Sequence, residues 1–259
     1  MSSNFLGICV GNSSTQLGTF VEGELVESAT VANNDRIAFG SNLDAAAVVL
    51  RGKPSLAAVL ATVEPHVSSW AEKEVLRRLH IKVSRVEDDL PIPIGRQLDP
   101  EAIVGEDRLL TAAAAYSVLK QACVIVDAGT ATTVDFVDGG GTYHGGAIGP
   151  GARLMLESLH DGTAQLPKVT WQPPLEPIGH NTVEAIRSGV FHALRGMVRE
   201  LAEHYAEIAG SYPVVVATGG DAEFLFKGFD LVERIVPDLA LLGIAATVQA
   251  SVEGESKFG

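Results

Sequence analysis

Two turns rich in glycine and hydroxyl residues each follow an apolar run, and both have the composition of a phosphate-binding loop. The first reads GNSST at 11–15, and the second reads GTATT at 129–133. Backbone N–H groups in such turns can donate to phosphate oxygens, and small hydroxyls add donors without bulk. The candidate nucleotide contacts in the two turns are Gly11, Asn12, Ser13, Ser14, Thr15, Gly129, Thr130 and Thr132. One such turn alone is also typical of an ordinary tight hairpin, in which Gly and Thr serve backbone geometry and strand propensity.

A carboxylate lies at the end of the second apolar run, ACVIVDAG at 122–129. Asp127 would be costly to bury without a partner, so its position predicts a cation, a metal ion or a dense set of N–H donors beside it. In the first apolar run Cys9 occupies the corresponding place. A thiol is a poor ligand for a hard ion such as Mg²⁺.

Two further segments carry groups suited to phosphoryl transfer. VGEDR at 104–108 places Asp107 beside Arg108, where the carboxylate can accept a proton from an alcohol and the guanidinium can hold a carboxylate or phosphate. An acidic residue interacting with a helix N-terminus, next to a solvated arginine, explains the same segment equally well. ATGGD at 217–221 follows an apolar run, and its glycines Gly219 and Gly220 leave bare backbone against which a base or ribose can pack.

An internal repeat relates the two turns. A shift of 118 residues brings Gly11 onto Gly129, Ser14 onto Thr132, Thr15 onto Thr133 and Gly23 onto Gly141, and it makes Cys9 the counterpart of Asp127. Both copies have the pattern strand, Gly and hydroxyl turn, strand, Gly turn, strand. The repeat predicts two domains, residues 1–118 and residues 119–259.

The elements that position these residues alternate between strands and helices, which predicts an α/β fold. The hairpin signals predict strands over 5–10, 16–21 and 24–30. Asn181 is the expected cap of a long helix over 181–208, and Ser68 the expected cap of an amphipathic helix that follows Pro65.

The composition excludes several classes of partner. The net charge of −13 argues against nucleic acid and anionic membranes as partners, because both need basic patches. No stretch reaches the roughly 18 apolar residues of a membrane span, and the N-terminus has no signal-peptide pattern. Two cysteines without metal or disulfide spacing fit a reducing compartment, so a cytoplasmic location is expected.

Several segments together resemble the type III pantothenate kinases. The resemblance rests on DAGTATTVDFVDGGGTYHGGAIGPG from residue 127, DGTAQLP at 161–167, GEDR at 105–108, HNTVEAIRSGVF from residue 180, ATGG at 217–220 and PDLALLGI at 237–244. They are collinear with the family pattern over most of the chain.

The resemblance implies a fold, a reaction and roles for individual residues. The fold would be that of the actin-like ATPases, Hsp70 and sugar kinases, with two RNase H-like domains and a cleft between them. The reaction would be ATP-dependent phosphorylation of pantothenate, the first step of coenzyme A biosynthesis, in a homodimer that uses Mg²⁺ and a monovalent cation, K⁺ or NH₄⁺. Asp107 matches the family's proton acceptor, and Asp127 its cation ligand. The matching substrate contacts are Gly105, Glu106, Asp107, Arg108 and Thr182.

The sequence departs from the family pattern within the candidate site. The first loop usually reads Asp-x-Gly-Asn-Thr, whereas this chain has Cys9 in place of the Asp and Ser13 in place of the Thr. Leu98 lies near the place of a Tyr that packs on pantothenate, and Thr111 stands where Asn is common. Two alternatives therefore stay open at this point: a catalytically weakened protein that binds a nucleotide or pantothenate, and a kinase for another small alcohol.

Overall fold

The computed structural model describes residues 4–54 and 56–256 of the 259-residue chain. It contains two sheets, and the chain divides into two compact units. Unit 1 comprises the described residues of Met1–Ile94, Asp99–Ser117 and Asp238–Gly259, and unit 2 comprises Gly95–Leu98 and Val118–Pro237. In the described part of the chain, no helix is both long and apolar enough to cross a membrane.

The sheet of unit 1 has five strands in the order β3-β2-β1-β4-β5. The strands are β1 (Phe5–Val10), β2 (Ser14–Val21), β3 (Glu24–Ala32), β4 (Ala57–Thr62) and β5 (Val83–Arg85). The first three form an antiparallel meander, whereas β4 runs parallel to β1, and β5 parallel to β4. Every residue of β1 is buried, as expected for a central strand covered on both faces.

The sheet of unit 2 repeats this order and adds one short strand. Its strands are β6 (Gly95–Arg96), β7 (Cys123–Ala128), β8 (Ala131–Val137), β9 (Thr142–Pro150), β10 (Val214–Thr218) and β11 (Arg234–Ile235). Their order is β11-β10-β7-β8-β9-β6, so β7 to β11 follow the same path as β1 to β5. Each meander carries a register shift at the same place, at Thr19/Phe20 in β2 and at Phe136/Val137 in β8.

The strand registers refine the internal repeat. Cys9 pairs with Gln16, and its counterpart Asp127 pairs with Thr133. The turn between β7 and β8 is therefore one residue shorter than the turn between β1 and β2, and the equivalence changes from 118 to 117 residues across it. Thr132 corresponds to Thr15 rather than to Ser14, a correction that the sequence alignment could not supply because it placed no gap.

Seven helices among the described residues complete the two units. They are α1 (Arg36–Leu50), α2 (Pro65–Leu79), α3 (Glu106–Leu119), α4 (Ala152–Asp161), α5 (Thr182–Ala209), α6 (Ala222–Phe226) and α7 (Leu239–Ser256). The predicted cap of α5 is confirmed, since the Asn181 side chain accepts a hydrogen bond from the N–H of Glu184. The predicted cap Ser68 is wrong: Glu64 caps α2, Pro65 occupies the first turn, and Ser68 is buried inside the helix.

The unit boundaries differ from the predicted ranges 1–118 and 119–259 in two places. Residues Gly95–Leu98 belong to unit 2 because β6 pairs with β9. The last helix, α7, belongs to unit 1, where Leu241 and Ile244 lie against the glycines Gly18 and Gly7 of the meander. Both differences arise from packing partners that lie far away in the sequence.

Candidate functional site

The first glycine turn is held open by one asparagine. The side-chain amide of Asn33 donates to the carbonyl oxygens of Gly11 at 2.9 Å and Asn12 at 3.1 Å, and its backbone N–H donates to the Ser13 carbonyl. The Asn33 side-chain oxygen accepts the hydroxyl proton of the buried Thr15 at 2.8 Å. Because Asn33 takes up the loop's carbonyls, the exposed tip is left with N–H and hydroxyl donors, as a phosphate loop requires. Sequence reasoning missed Asn33, which lies just beyond β3.

Cys9 lies in the middle of the unit 1 sheet, near the end of β1. Its neighbours in register are Gln16 on β2 and Ala61 on β4, and the residue is only 6% exposed. A small thiol fits this buried position, where an unpaired carboxylate would lose its hydration. This strand end therefore carries no carboxylate.

The segment Gly105–Arg108 begins α3 and is tied to the end of β4. A carboxylate oxygen of Glu106 accepts the backbone N–H of Thr62 at 2.8 Å. Burial raises the pKa of Glu106 above its ordinary value, an effect that the bond from Thr62 partly opposes. Glu106, predicted to touch substrate, is thus directed at least in part towards the sheet.

The carboxylate of Asp107 has a fixed orientation at the start of α3. Its Oδ1 accepts the backbone N–H of Arg108 at 2.8 Å. A Cβ at Gly105 would lie 2.5 Å from the same oxygen, so the absence of a side chain at residue 105 leaves room for this carboxylate. Gly105 therefore leaves the space that the Asp107 carboxylate occupies. Its predicted contact with substrate stays a prediction.

Unit 1 brings the first glycine turn and Asp107 to the same edge of its sheet. Val10 and Thr62, the last residues of the parallel strands β1 and β4, are neighbours in register. The turn follows Val10 directly, and Glu106 holds the start of α3 at Thr62. The carboxyl ends of adjacent parallel strands are the usual position of ligand sites in α/β sheets. Two segments that lie about ninety residues apart in the chain, 11–15 and 105–108, are therefore neighbours.

The second glycine turn is packed closely by backbone in unit 2. The Gly129 N–H donates to the Ala131 carbonyl, and the Gly151 N–H donates to the Thr130 carbonyl at 3.0 Å. A Cβ at Gly151 would collide with the Gly129 carbonyl and lie 2.6 Å from that of Thr130. Gly151 is the N-cap of α4, so the start of this helix lies against the turn. The segment GPGAR contained this signal, but sequence reasoning did not use Gly151.

Asp127 and Gly219 lie very close together at this unit's sheet edge. Gly219 follows β10 with φ of +94°, a conformation that L side chains rarely adopt. A Cβ there would collide with Asp127 Oδ1 and lie 2.5 Å from the Ala128 carbonyl oxygen. The glycine thus lets the backbone approach the carboxylate. The neighbouring Gly220 instead has open space around it, and the assignments of Asp127, Gly219 and Gly220 to cation and nucleotide stay predictions.

An ion pair that the sequence did not reveal lies beside this edge. Asp221 is 1% exposed, and its carboxylate accepts hydrogen bonds from the Arg153 guanidinium at 3.2 and 3.5 Å. Burial raises the pKa of Asp221, while Arg153 and Trp171 act in the opposite direction. The pair joins the first turn of α4 to the Gly219–Gly220 turn. Arg153 and Asp221 therefore brace the two segments that surround Asp127.

The remaining predicted contacts are less closely tied to this edge. Thr133, opposite Asp127 in register, has a buried Oγ1 without a hydrogen-bond partner among the described residues. Thr132 is fully buried and points to the other face, where its Oγ1 is also unpartnered. Thr182 is exposed in the first turn of α5. The assignments of Thr132 to nucleotide and Thr182 to substrate stay predictions.

Comparison with known proteins places the chain in one family. The family model described as type III pantothenate kinase matches residues 5–204, which include both glycine turns and the Gly105–Arg108 segment. The chain belongs to the type III pantothenate kinase family. The resemblance stated from the sequence is thereby confirmed.

Curated relatives agree with this assignment. A type III pantothenate kinase from Akkermansia muciniphila is 36% identical over 198 residues, which cover 76% of this chain and 79% of the relative. One from Paramagnetospirillum magneticum is 38% identical over 190 residues, covering 73% of each chain.

Solved structures confirm the predicted fold class. A Baf family protein from Campylobacter jejuni matches with a TM-score of 0.63 at 20% identity, covering 96% of this chain and 99% of that one. The ADP-bound MreB5 of Spiroplasma citri matches with a TM-score of 0.51 at 12% identity, covering 98% of both chains. At these identities the likeness concerns the fold alone, which is the actin-like ATPase fold with RNase H-like sheets.

Proposed function

We propose that this protein phosphorylates pantothenate with ATP to give 4′-phosphopantothenate, the first step of coenzyme A biosynthesis. The family assignment supports the reaction class and both substrates. The observation that supports it within the structure is the edge of unit 1, where the first glycine turn and the oriented Asp107 carboxylate are neighbours. A phosphate donor and an alcohol acceptor need these two kinds of group side by side.

In the proposed step, Asp107 accepts the proton of the primary hydroxyl of pantothenate as that oxygen attacks the γ-phosphorus of ATP. The new O–P bond forms while the bond from the γ-phosphorus to the bridging oxygen breaks, and ADP leaves. Arg108 holds the carboxylate of pantothenate through its guanidinium fork. N–H groups at the exposed tip of the Gly11–Ser14 turn bind phosphate oxygens, whereas the Gly11 N–H donates to the Ser14 carbonyl within the turn. Positioning and charge neutralisation provide most of the rate enhancement.

The residues around Asp127 suit a monovalent cation. The Asp127 carboxylate and the Ala128 carbonyl both lie close to Gly219, and both are hard oxygen donors. A cation bound by these oxygens would neutralise negative charge beside the second turn. We assign this role to Asp127 for K⁺ or NH₄⁺.

The donors of unit 1 do not suit Mg²⁺ at the end of β1. Cys9 offers buried sulfur where an oxygen ligand would be needed. Among the described residues, no three His, Cys, Asp or Glu side chains lie close enough together to hold a metal. In the proposed step, Cys9 therefore holds no divalent ion. The use of Mg²⁺, the homodimer, the cytoplasmic location and the sharing of one nucleotide by both turns stay predictions from the sequence.

Asp107→Asn tests the proposed step, because the amide keeps the shape and the bond from Arg108 but cannot accept the proton. We expect turnover of ATP and pantothenate to fall by about 10²- to 10⁴-fold, with unchanged thermal stability. Thr111→Asn, which restores the residue common in the family, is the control and should keep activity. Wild-type protein that binds ATP but gives no product would favour the binding-protein alternative that Cys9 suggests. Turnover of another alcohol in an acceptor screen, without turnover of pantothenate, would favour the other alternative.

A further inference from the structure

A cavity of about 440 Å³ lies on unit 2, between α5 and the segment that follows α6. Its volume is in the range of small-molecule sites. The residues that matter for its chemistry are His192, Arg195, Gly196, Arg199, Phe229 and Asp230. The first four occupy one face of α5 at helical spacing. None of these residues takes part in the proposed phosphoryl transfer.

Arg195 is held in place without a carboxylate. Its Nε donates to the Leu225 carbonyl at 2.6 Å, and one terminal nitrogen donates to the Lys227 carbonyl at 3.3 Å. Its guanidinium carbon lies 4.2 Å from the Phe191 ring centre and 4.9 Å from that of Phe229. Burial of the guanidinium lowers the pKa of Arg195, because the charged form loses hydration. These contacts fix the plane of the guanidinium and leave some of its five N–H donors for a ligand.

Arg199 adds a second positive charge on the same side. Its guanidinium carbon lies 5.2 Å from the centre of the Phe229 ring, which Arg195 also contacts. Within the described part of the chain, Arg199 has neither a hydrogen bond nor an ion pair, whereas both arginines of α2, Arg77 and Arg78, have carboxylate partners. Gly196 lies on the same face of α5, and a Cβ there would meet nothing within 4 Å. The cavity is therefore open beside the helix backbone at Gly196.

Two arginines that share one aromatic ring without a carboxylate are unexpected in a chain with 32 acidic and 19 basic residues. Asp230, exposed among the lining residues, forms no ion pair with either arginine. Two positive charges that line one cavity repel, and the repulsion is relieved when an anion lies between them. We propose that this cavity is a binding site for a small molecule that carries a phosphate group, held by Arg195 and Arg199.

The chemistry favours phosphate over a single carboxylate. Guanidinium groups form paired hydrogen bonds with either anion, but two of them match the charge of a phosphate dianion. His192, at the same cavity, can add a further N–H donor. Bare backbone at Gly196 leaves room for the group to approach the helix.

Calorimetric titration with inorganic pyrophosphate at fixed ionic strength tests this site. The nucleotide turns are first saturated with a non-hydrolysable ATP analogue and Arg108 is occupied by pantothenate, so that pyrophosphate cannot bind at the proposed catalytic site. We expect one binding event to remain, and Arg199→Gln to weaken it by about tenfold or more. Arg199 is exposed and holds no other element, so this variant is expected to fold. Malonate, a dicarboxylate, forms a second arm and should bind more weakly than pyrophosphate.

Lys227→Gln is the matched control. It removes the same charge close to the cavity, but Lys227 is already paired with Glu223 at 2.9 Å and does not line the cavity. Its affinity for pyrophosphate should stay within about twofold of wild type. Equal binding by Arg199→Gln and wild type would overturn the site, as would loss of all pyrophosphate binding in the presence of the ATP analogue. Tighter binding of malonate would overturn the phosphate assignment. None of these binding results depends on whether pantothenate is the acceptor of the phosphoryl group, so the site can be tested separately from the proposed function.

Discussion

At the scale of single residues, the two sheet edges are unequal. Asp127 and Cys9 occupy equivalent positions, yet only Asp127 brings a carboxylate to the end of its strand. Asp127 is half-buried, and the Thr133 hydroxyl opposite it has no hydrogen-bond partner among the described residues, whereas Cys9 is buried between Gln16 and Ala61. The family pattern has a carboxylate beside each of the two loops, whereas this chain has Cys9 beside the first loop and keeps the carboxylate of Asp127 in unit 2.

Cys9→Asp restores the carboxylate that the family pattern has at this position. The variant should change both the stability of the protein and the Mg²⁺ requirement of the reaction, and the two effects can be measured separately. Because the position is buried, we expect the free energy of unfolding without ligand to fall by about 1–3 kcal/mol. If a carboxylate there helps to hold a metal, a lower Mg²⁺ concentration should give half-maximal turnover. Urea unfolding and the Mg²⁺ dependence of initial rates measure the two effects. Cys9→Ser is the control, and an unchanged Mg²⁺ requirement in both variants would show that Cys9 does not limit metal placement.

Glu106 makes stability depend on pH in a defined direction. Burial raises its pKa above the ordinary value of 4.5, so protonation favours the folded state. Its contribution to stability is fully present below pH 4.5 and is lost as the pH rises through the raised pKa. Glu106→Gln does not titrate but keeps an oxygen for the Thr62 N–H. The unfolding free energy of wild type minus that of Glu106→Gln should therefore decrease with pH and then level off in urea titrations from pH 4 to 8. A constant or rising difference would contradict this account.

At the scale of elements, the glycine turns were predictable because short-range signals define them. Strand β1 was predicted with its observed bounds, and the glycines Gly23 and Gly141 both have the positive φ that their turns imply. The contacts that shape the site were not predictable in this way. Asn33 reaches back from the end of β3, and Gly151 approaches Gly129 from the start of α4. Such contacts depend on tertiary packing, which leaves no local periodicity in the sequence.

Gly219→Ala tests whether close backbone approach positions Asp127. The new methyl group would meet Asp127 Oδ1 and the Ala128 carbonyl at a backbone angle that alanine avoids. We expect a loss of at least about 1–2 kcal/mol in unfolding free energy, together with weaker stabilisation by ATP in thermal melts. Gly220→Ala changes the adjacent glycine, where a Cβ meets nothing within 4 Å, and should leave both quantities near wild type. Equal effects of the two substitutions would argue against the steric role of Gly219.

At the scale of the whole molecule, two copies of one sheet order are joined by a chain that crosses between the units four times. The repeated strand order and the matching register shifts support duplication of a common unit. The repeat was predicted from the sequence, but the last helix was assigned to the second domain because of its position along the chain. Helix α7 belongs instead to unit 1, because its apolar side chains cover the meander of that unit. Only a three-dimensional contact could reveal this assignment, since α7 is more than 200 residues away from β1 and β2.

Helix α7 packs closely against α3 within unit 1 and also covers the N-terminal sheet. The stability of this unit should therefore depend on the contact between the two helices. A Cβ at Gly243 would collide with the Leu110 carbonyl and lie 2.7 Å from the Leu110 Cβ. Gly243→Ala must push α7 away from α3, the helix that begins with Asp107. We expect the unfolding free energy to fall by about 1–3 kcal/mol in urea titrations, as for other overpacked cores. Gly189→Ala is the matched control: it lies within α5 with open space around it, so the change should stabilise the protein by about 0.5–1 kcal/mol through helix propensity. If Gly243→Ala were stabilising to the same degree, the two helices would not be in the close contact on which the position of α7 in unit 1 depends.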